Sequence, residues 1–198
     1  MECKYFTYVL FMLIFFTDDL IGERKYYPNH PFGEYKLKFL GAFICNESIN
    51  YPMMFNLHLS RISETKRVLT GKIILRIPFD DSLTFHLNMA VLDKIGGWKY
   101  NAFVYRQPYG CSSFKKMMGQ VWLPFLRSFD KSITDCPINI GNASLIGFDL
   151  SLLEKSYFPK KYFYGTYKLK IQYTNKEDDI VGCLILVIEF VRPWEYNL

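Results

Sequence analysis

Apolar and polar side chains alternate along most of the segment from residue 35 to residue 106. Tyr35-Lys36-Leu37-Lys38-Phe39-Leu40 opens the pattern, which runs on through Ala42-Phe43-Ile44. Phe55-Asn56-Leu57-His58-Leu59-Ser60 and Thr70-Gly71-Lys72-Ile73-Ile74-Leu75-Arg76-Ile77 repeat it. So do Leu83-Thr84-Phe85-His86-Leu87-Asn88-Met89 and Trp98-Lys99-Tyr100-Asn101-Ala102-Phe103-Val104-Tyr105. A period of two sends one set of side chains to a buried face and the other to solvent, as in half-exposed antiparallel strands. Short turn clusters, Pro78-Phe79-Asp80-Asp81-Ser82 and Gly96-Gly97, separate these segments, so consecutive strands are expected to neighbour in space.

The C-terminal part predicts a hairpin. Thr166-Tyr167-Lys168-Leu169-Lys170-Ile171-Gln172-Tyr173 alternates, Asn175 to Asp179 turns, and Cys183 to Val191 returns. The return segment is apolar on both faces, which predicts a central, covered strand. One stretch departs from this rhythm. From Ser112 onward the apolar positions are Phe114, Met117, Met118, Val121, Trp122 and Phe125, a single stripe of an amphipathic helix whose regular length Pro124 limits. Such a stripe suits a cover over the open end of a sheet. It also suits an adaptable wall for an apolar ligand, because methionine repacks around irregular shapes. With no strand–helix–strand spacing, the whole predicts an all-β antiparallel cup or sandwich of about seven to nine strands carrying one helix.

The N-terminus changes where this fold is expected to reside. Lys4 precedes a mostly apolar run, Tyr5 to Phe16, and Thr17-Asp18-Asp19 follows. The run is too short for a membrane span of ~20 residues and reads as the core of a signal peptide, residues 1–22, with a cut after Gly22 or alternatively near Thr17. The remainder, residues 23–198, is expected to be one exported, soluble domain. A cut after Gly22 removes Lys4, Glu2, Asp18 and Asp19, which takes the net charge from +5 to +7. Cys3 leaves too, so Cys45, Cys111, Cys136 and Cys183 remain: in an oxidising compartment, two disulfides with three connectivities open. The sequons at Asn46 and Asn142 fit passage through a secretory pathway with glycosylation there.

Composition and motifs narrow the function. Half the residues are hydrophobic, and 15 Tyr and 18 Phe exceed what a core of this size needs, which predicts an apolar cavity or a sticky surface. There is no nucleophile elbow, HExxH pair, phosphate-cradling loop or EF-hand loop, so neither a catalytic residue nor a cofactor is expected. The three histidines lie far from the cysteines, which argues against a metal site; His58 and His86 are expected to face solvent or a neighbouring strand. The basic residues are too thinly spread for nucleic acid, and Lys160-Lys161 is one of few local groupings.

The segment from Cys111 to Phe190 carries a resemblance. It reads Cys111, the amphipathic helix, Cys136-Pro137, Gly141, an apolar stretch through Leu145 and Phe148, then Tyr157-Phe158-Pro159, Gly165-Thr166-Tyr167-Lys168 and Gly182-Cys183. This is similar to the ganglioside-activator family of secreted lipid-binding proteins, and more closely to its insect relatives, the CheB chemosensory proteins. The resemblance implies pairing of Cys45 with Cys183 and of Cys111 with Cys136. It also implies a β-cup around a cavity for lipid tails, covered by the helix, and binding without catalysis. The expected function is carriage or presentation of a lipid or long-chain hydrophobic ligand such as a pheromone, with a membrane surface or a receptor as further partner. Expected wall residues are Phe114, Met117, Met118, Val121, Trp122 and Phe125 on the helix, joined by Phe85, Leu87, Met89, Phe103 and Tyr105 on strands. The competing expectation is an adhesion or receptor-interaction sandwich with a filled core and its surplus rings on one outer face.

Overall fold

A computed structural model of the chain describes residues 30–63, 66–133 and 135–196. The signal-peptide segment lies outside these residues, and the account below concerns the unit that begins at Pro31. Among the described residues ten strands are formed: β1 (Phe32–Gly33), β2 (Lys36–Ile44), β3 (Met53–Arg61), β4 (Arg67–Leu75), β5 (Thr84–Asp93), β6 (Gly97–Gln107), β7 (Gly141–Asp149), β8 (Tyr162–Phe163), β9 (Gly165–Thr174) and β10 (Ile180–Val191). Between β6 and β7 run two short helices, α1 (Gly110–Met118) and α2 (Trp122–Arg127), joined by a 3-10 turn at Gly119–Val121. The protein is an all-β cup, with β1 and β8 forming a separate two-stranded ribbon.

β10 is the hinge of the architecture. One of its edges pairs with β9 along nearly its whole length. The other pairs antiparallel with β2 from Leu184 to Val191, and touches β3 through one parallel bridge, Gly182 to Met53. The large sheet thus has two halves, β6-β5-β9-β10-β2 and β3-β4-β7, which meet at that bridge. Only glycine fits there: a Cβ on Gly182 would lie 2.9 Å from both the Met53 Cβ and the Phe55 ring. The next residue, Cys183, is disulfide-bonded to Cys45 just past the end of β2, so the crossing point is pinned covalently.

The expected C-terminal hairpin and central return strand are present, and β10 is buried along most of both faces. The expectation that consecutive strands neighbour holds for β3–β4 and β5–β6 but not for β4–β5. Residues 76–83 carry the chain across to the other half, where β5 pairs with β9 and β6. Phe79 anchors this crossover by a reciprocal backbone pair with Ile138, 2.9 Å each way. The Asp80-Asp81 turn that follows caps the helix. Asp81 accepts from the Ser112 N–H at 2.8 Å and from its hydroxyl at 2.6 Å, while the Asp80 carbonyl accepts from the Cys111 N–H.

The helix also departs from expectation. It is interrupted at Gly119, with φ at 55°, and not by Pro124, which sits in the first turn of α2 where a missing N–H costs nothing. His58 and His86 take the cross-strand option, meeting the Thr70 and Thr174 hydroxyls at 3.1 and 3.0 Å.

Candidate ligand-binding site

Between the two halves lies an unfilled volume of about 420 Å³. Leu57, Leu69 and Ile73 line it from one half; Leu169, Ile171 and Leu186 line it from the other. Along β10 the wall runs from Leu184 to Phe190, six residue steps or about 20 Å of strand. A volume of 420 Å³ over that length has a mean section of roughly 20 Å², a slot for one extended chain. Exposed residues of the segment between α2 and β7, among them Lys131, Asp135 and Ile140, line the end that opens to solvent.

The aromatic surplus is mostly internal and braces the two ends of this slot. At the helix end Phe114 stands 6.0 Å from Trp122, 6.1 Å from Phe125, 5.8 Å from Phe85 and 6.2 Å from Phe79. At the other end Phe190 stacks on Tyr162 at 4.6 Å and meets Tyr35 and Tyr167 edge-on. The Tyr35 hydroxyl donates to the Pro159 carbonyl at 2.7 Å, tying the chain before β8 to the start of β2. Burial, with smaller contributions from Glu154 and Tyr162, pushes the Tyr35 phenol up to about 12. Burial does the same for Tyr162, assisted by Tyr167. Both therefore stay neutral at physiological pH.

The rim is held by polar contacts and one disulfide. Cys111 at the start of α1 bonds Cys136, clamping the rim segment to the helix. Lys115 reaches over the same gap to Asp135 at 2.7 Å. That ammonium, and then the Cys136 N–H, hold the Asp135 carboxyl below the usual carboxylate range. The Lys131 ammonium donates to the Asn142 carbonyl at the exposed rim.

Five of the eleven residues expected in the wall line the slot: Phe114, Met117, Met118, Phe125 and Leu87. The other six stand elsewhere. Val121 and Trp122 are buried off the lining, Trp122 against the Phe114 and Phe125 rings, because the 3-10 turn at Gly119–Val121 rotates the stripe off its 3.6-residue course. Phe85 and Met89 are completely buried in solid packing: Phe85 sits among rings and Met89 lies under the Tyr162 hydroxyl. Phe103 and Tyr105 lie on β6, an edge strand of the sheet, where Phe103 meets Phe158 and Tyr105 meets Phe85. Alternation placed Phe85, Leu87, Met89, Phe103 and Tyr105 on the inward side, while Phe43, Tyr100 and Val104 of the same segments are exposed, and it carries no information on which inward residues meet a neighbour and which meet a gap. β3 and β4, which alternate too, also line the slot, while β10 and the rim residues Ile133, Ile138 and Ile140 carry no alternation.

Both disulfides pair as the resemblance implies, and two intramolecular bridges fit a protein of an oxidising, extracellular compartment. The sequon asparagines are both exposed, Asn46 in the turn after β2 and Asn142 on edge strand β7 beside the rim. No protein-family model matches this chain and no curated protein matches it, so the slot and its walls carry the functional reading.

Proposed function

We propose that the chain is an exported, non-catalytic protein that holds a lipid or other long-chain hydrophobic molecule, such as a pheromone, in this slot and carries or presents it. The observation that supports this is the slot itself: 420 Å³ without filling side chains, walled by Leu, Ile, Met and Phe. That volume lies within the ~300–1,000 Å³ of small-molecule sites. It takes about a dozen methylene-sized groups at about 30 Å³ each. At ~0.8 kcal/mol per buried CH₂ their transfer from water yields roughly 10 kcal/mol, and subtracting at least ~4 kcal/mol for lost freedom leaves at most about 6 kcal/mol, an affinity of tens of micromolar. The resemblance to ganglioside-activator and CheB proteins points to the same class of ligand, and in the second case to a chemosensory setting.

The adhesion-sandwich alternative needs a filled centre and rings gathered on one outer face; the open slot and the two internal ring clusters speak against it. Native mass spectrometry of gently purified protein, together with displacement of the apolar fluorophore N-phenyl-1-naphthylamine, tests the carrier reading. One-to-one complexes with single-chain lipids, tightening as the chain lengthens until the slot is full, are expected. A protein that carries no guest and ignores the fluorophore and every chain overturns it.

A further inference from the structure

Among the groups that line the slot, Tyr173 is out of keeping with the rest. It lies near the C-terminal end of β9, opposite Phe85 of β5 on one side and Gly182 of β10 on the other. Its residue surface is 3% exposed. Rings surround it: Phe79 at 4.9 Å, Phe85 at 5.6 Å, Phe55 at 6.1 Å and Phe114 at 6.5 Å. A hydroxyl in such a place normally finds an acceptor, because leaving it unpaired forfeits the hydrogen bonds it had in water. Tyr35 finds the Pro159 carbonyl and Tyr164 the Glu34 carbonyl. The Tyr173 hydroxyl makes no hydrogen bond among the described residues, yet it is not sealed in protein, and the space its residue borders is the slot.

Phenylalanine would fill the same packing without this cost. The ring's position among four phenylalanines therefore does not account for the oxygen, whereas a ligand atom in the slot does. The charge around the slot then restricts what that atom belongs to. Among the described residues Lys131 is the only cation on the lining, and it lies exposed at the rim. Asp135, the only acid among them, is paired with Lys115. Among the described residues no charge stands against the Tyr173 phenol to meet a carboxylate or a phosphate, and an unpaired buried ion is strongly disfavoured. Burial also drives the phenol far above its ordinary range, so the oxygen keeps its proton and acts as a donor.

We infer that the Tyr173 hydroxyl is the polar anchor of the slot, donating a hydrogen bond to an oxygen of an uncharged ligand: an ester, ketone, aldehyde or alcohol borne on a single hydrocarbon chain. This rests on the carrier reading above and specifies its ligand class. The tail then runs along the Leu184–Phe190 wall of β10, and the oxygen is what fixes which way round the chain lies.

Dodecane, dodecyl acetate and dodecanoate, competed against N-phenyl-1-naphthylamine on the full exported chain and on Tyr173→Phe, separate the possibilities. The variant removes only an oxygen without a protein partner, so the ligand-free protein should unfold at the same temperature or higher. Tyr173→Phe is expected to weaken dodecyl acetate roughly fivefold to tenfold, the worth of one neutral hydrogen bond, and to leave dodecane unchanged. Dodecanoate at a pH where it is ionised is expected to bind at least tenfold more weakly than the acetate in the unsubstituted protein. Equal acetate affinity in both proteins overturns the anchor while leaving the carrier reading intact, and tighter binding of dodecanoate overturns the uncharged class. Failure of all three chains and the fluorophore to bind either protein overturns the carrier reading itself.

Discussion

The ring of Tyr157 lies directly over Gly119, so closely that a Cβ on the glycine would stand 3.0 to 3.1 Å from three ring carbons. The Tyr157 N–H also donates to the Met117 carbonyl at 3.0 Å, so the segment after β7 grips the helix where it breaks. Gly119 has φ at 55° and ψ at −124°, a combination that side-chain-bearing residues avoid. Gly119→Ala is therefore expected to cost about 1–3 kcal/mol, through backbone strain plus displacement of the ring. Urea unfolding measures it. Since Met117 and Met118 adjoin the break and line the slot, fluorophore binding should weaken in the same variant. An alanine that leaves both unchanged contradicts the packing described.

The two disulfides are expected to behave differently. The chain-entropy relation assigns the Cys111–Cys136 loop, with a separation of 25, about 3.5 kcal/mol and the Cys45–Cys183 loop, with a separation of 138, about 5 kcal/mol. Replacing Cys45 and Cys183 together by Ser should cost more stability, because that bridge pins the crossing at Gly182. Replacing Cys111 and Cys136 together should cost less stability but more ligand affinity, because that bridge holds the rim segment to α1. Paired measurements of unfolding midpoint and fluorophore affinity on the two double variants check this. The same order in both assays goes against a separate role for the rim bridge.

The strands were legible because period-two alternation states directly which side chains face inward, and β2, β3, β5, β6 and β9 all carry it. β7 lacked that signal: its buried Leu145 and Phe148 are three apart, across a register shift where β4 passes from Leu69 to Gly71. Pro124 misled where Gly119 decided, since a proline in a helix's first turn is harmless and a glycine with positive φ is not. The slot was legible only as an excess of rings. Whether an inward residue such as Phe85 or Leu87 meets another ring or a void depends on how far apart the halves stand. That distance is set by the Gly182–Met53 crossing and by Phe79, which are long-range facts with no local pattern.

His86 provides a pH signature for the outer face of the sheet. Its imidazole, 3.0 Å from the Thr174 hydroxyl, is held below the ordinary 6.5, first by burial and then by Arg106 on the neighbouring strand, with Asp178 opposing. Between the folded value and 6.5 the unfolded chain carries a proton that the folded chain lacks. The contribution of His86 to stability is therefore complete above pH 6.5 and falls as the pH drops through that window. The unfolding midpoint of the unsubstituted protein, compared with that of His86→Gln, should show a deficit that grows from pH 7.5 to pH 5. A difference independent of pH, or one that grows toward alkaline pH, refutes the sign.

Ala143 sits on edge strand β7, paired with Ile73, and lines the slot with a single methyl group. Enlarging a residue in a filled core forces neighbours off their rotamers and costs about 1–3 kcal/mol. Enlarging one that borders a void does the reverse, because the added methylenes leave water and meet atoms that previously had no partner, which contributes roughly 1 kcal/mol. Ala143→Leu is therefore expected to raise the thermal midpoint of the ligand-free protein while weakening the fluorophore and long chains several-fold. The two readouts move in opposite directions only if the space is both vacant and used. A variant that loses stability and affinity together indicates overpacking of a filled centre, and one that gains stability with affinity intact indicates that the guest lies somewhere else.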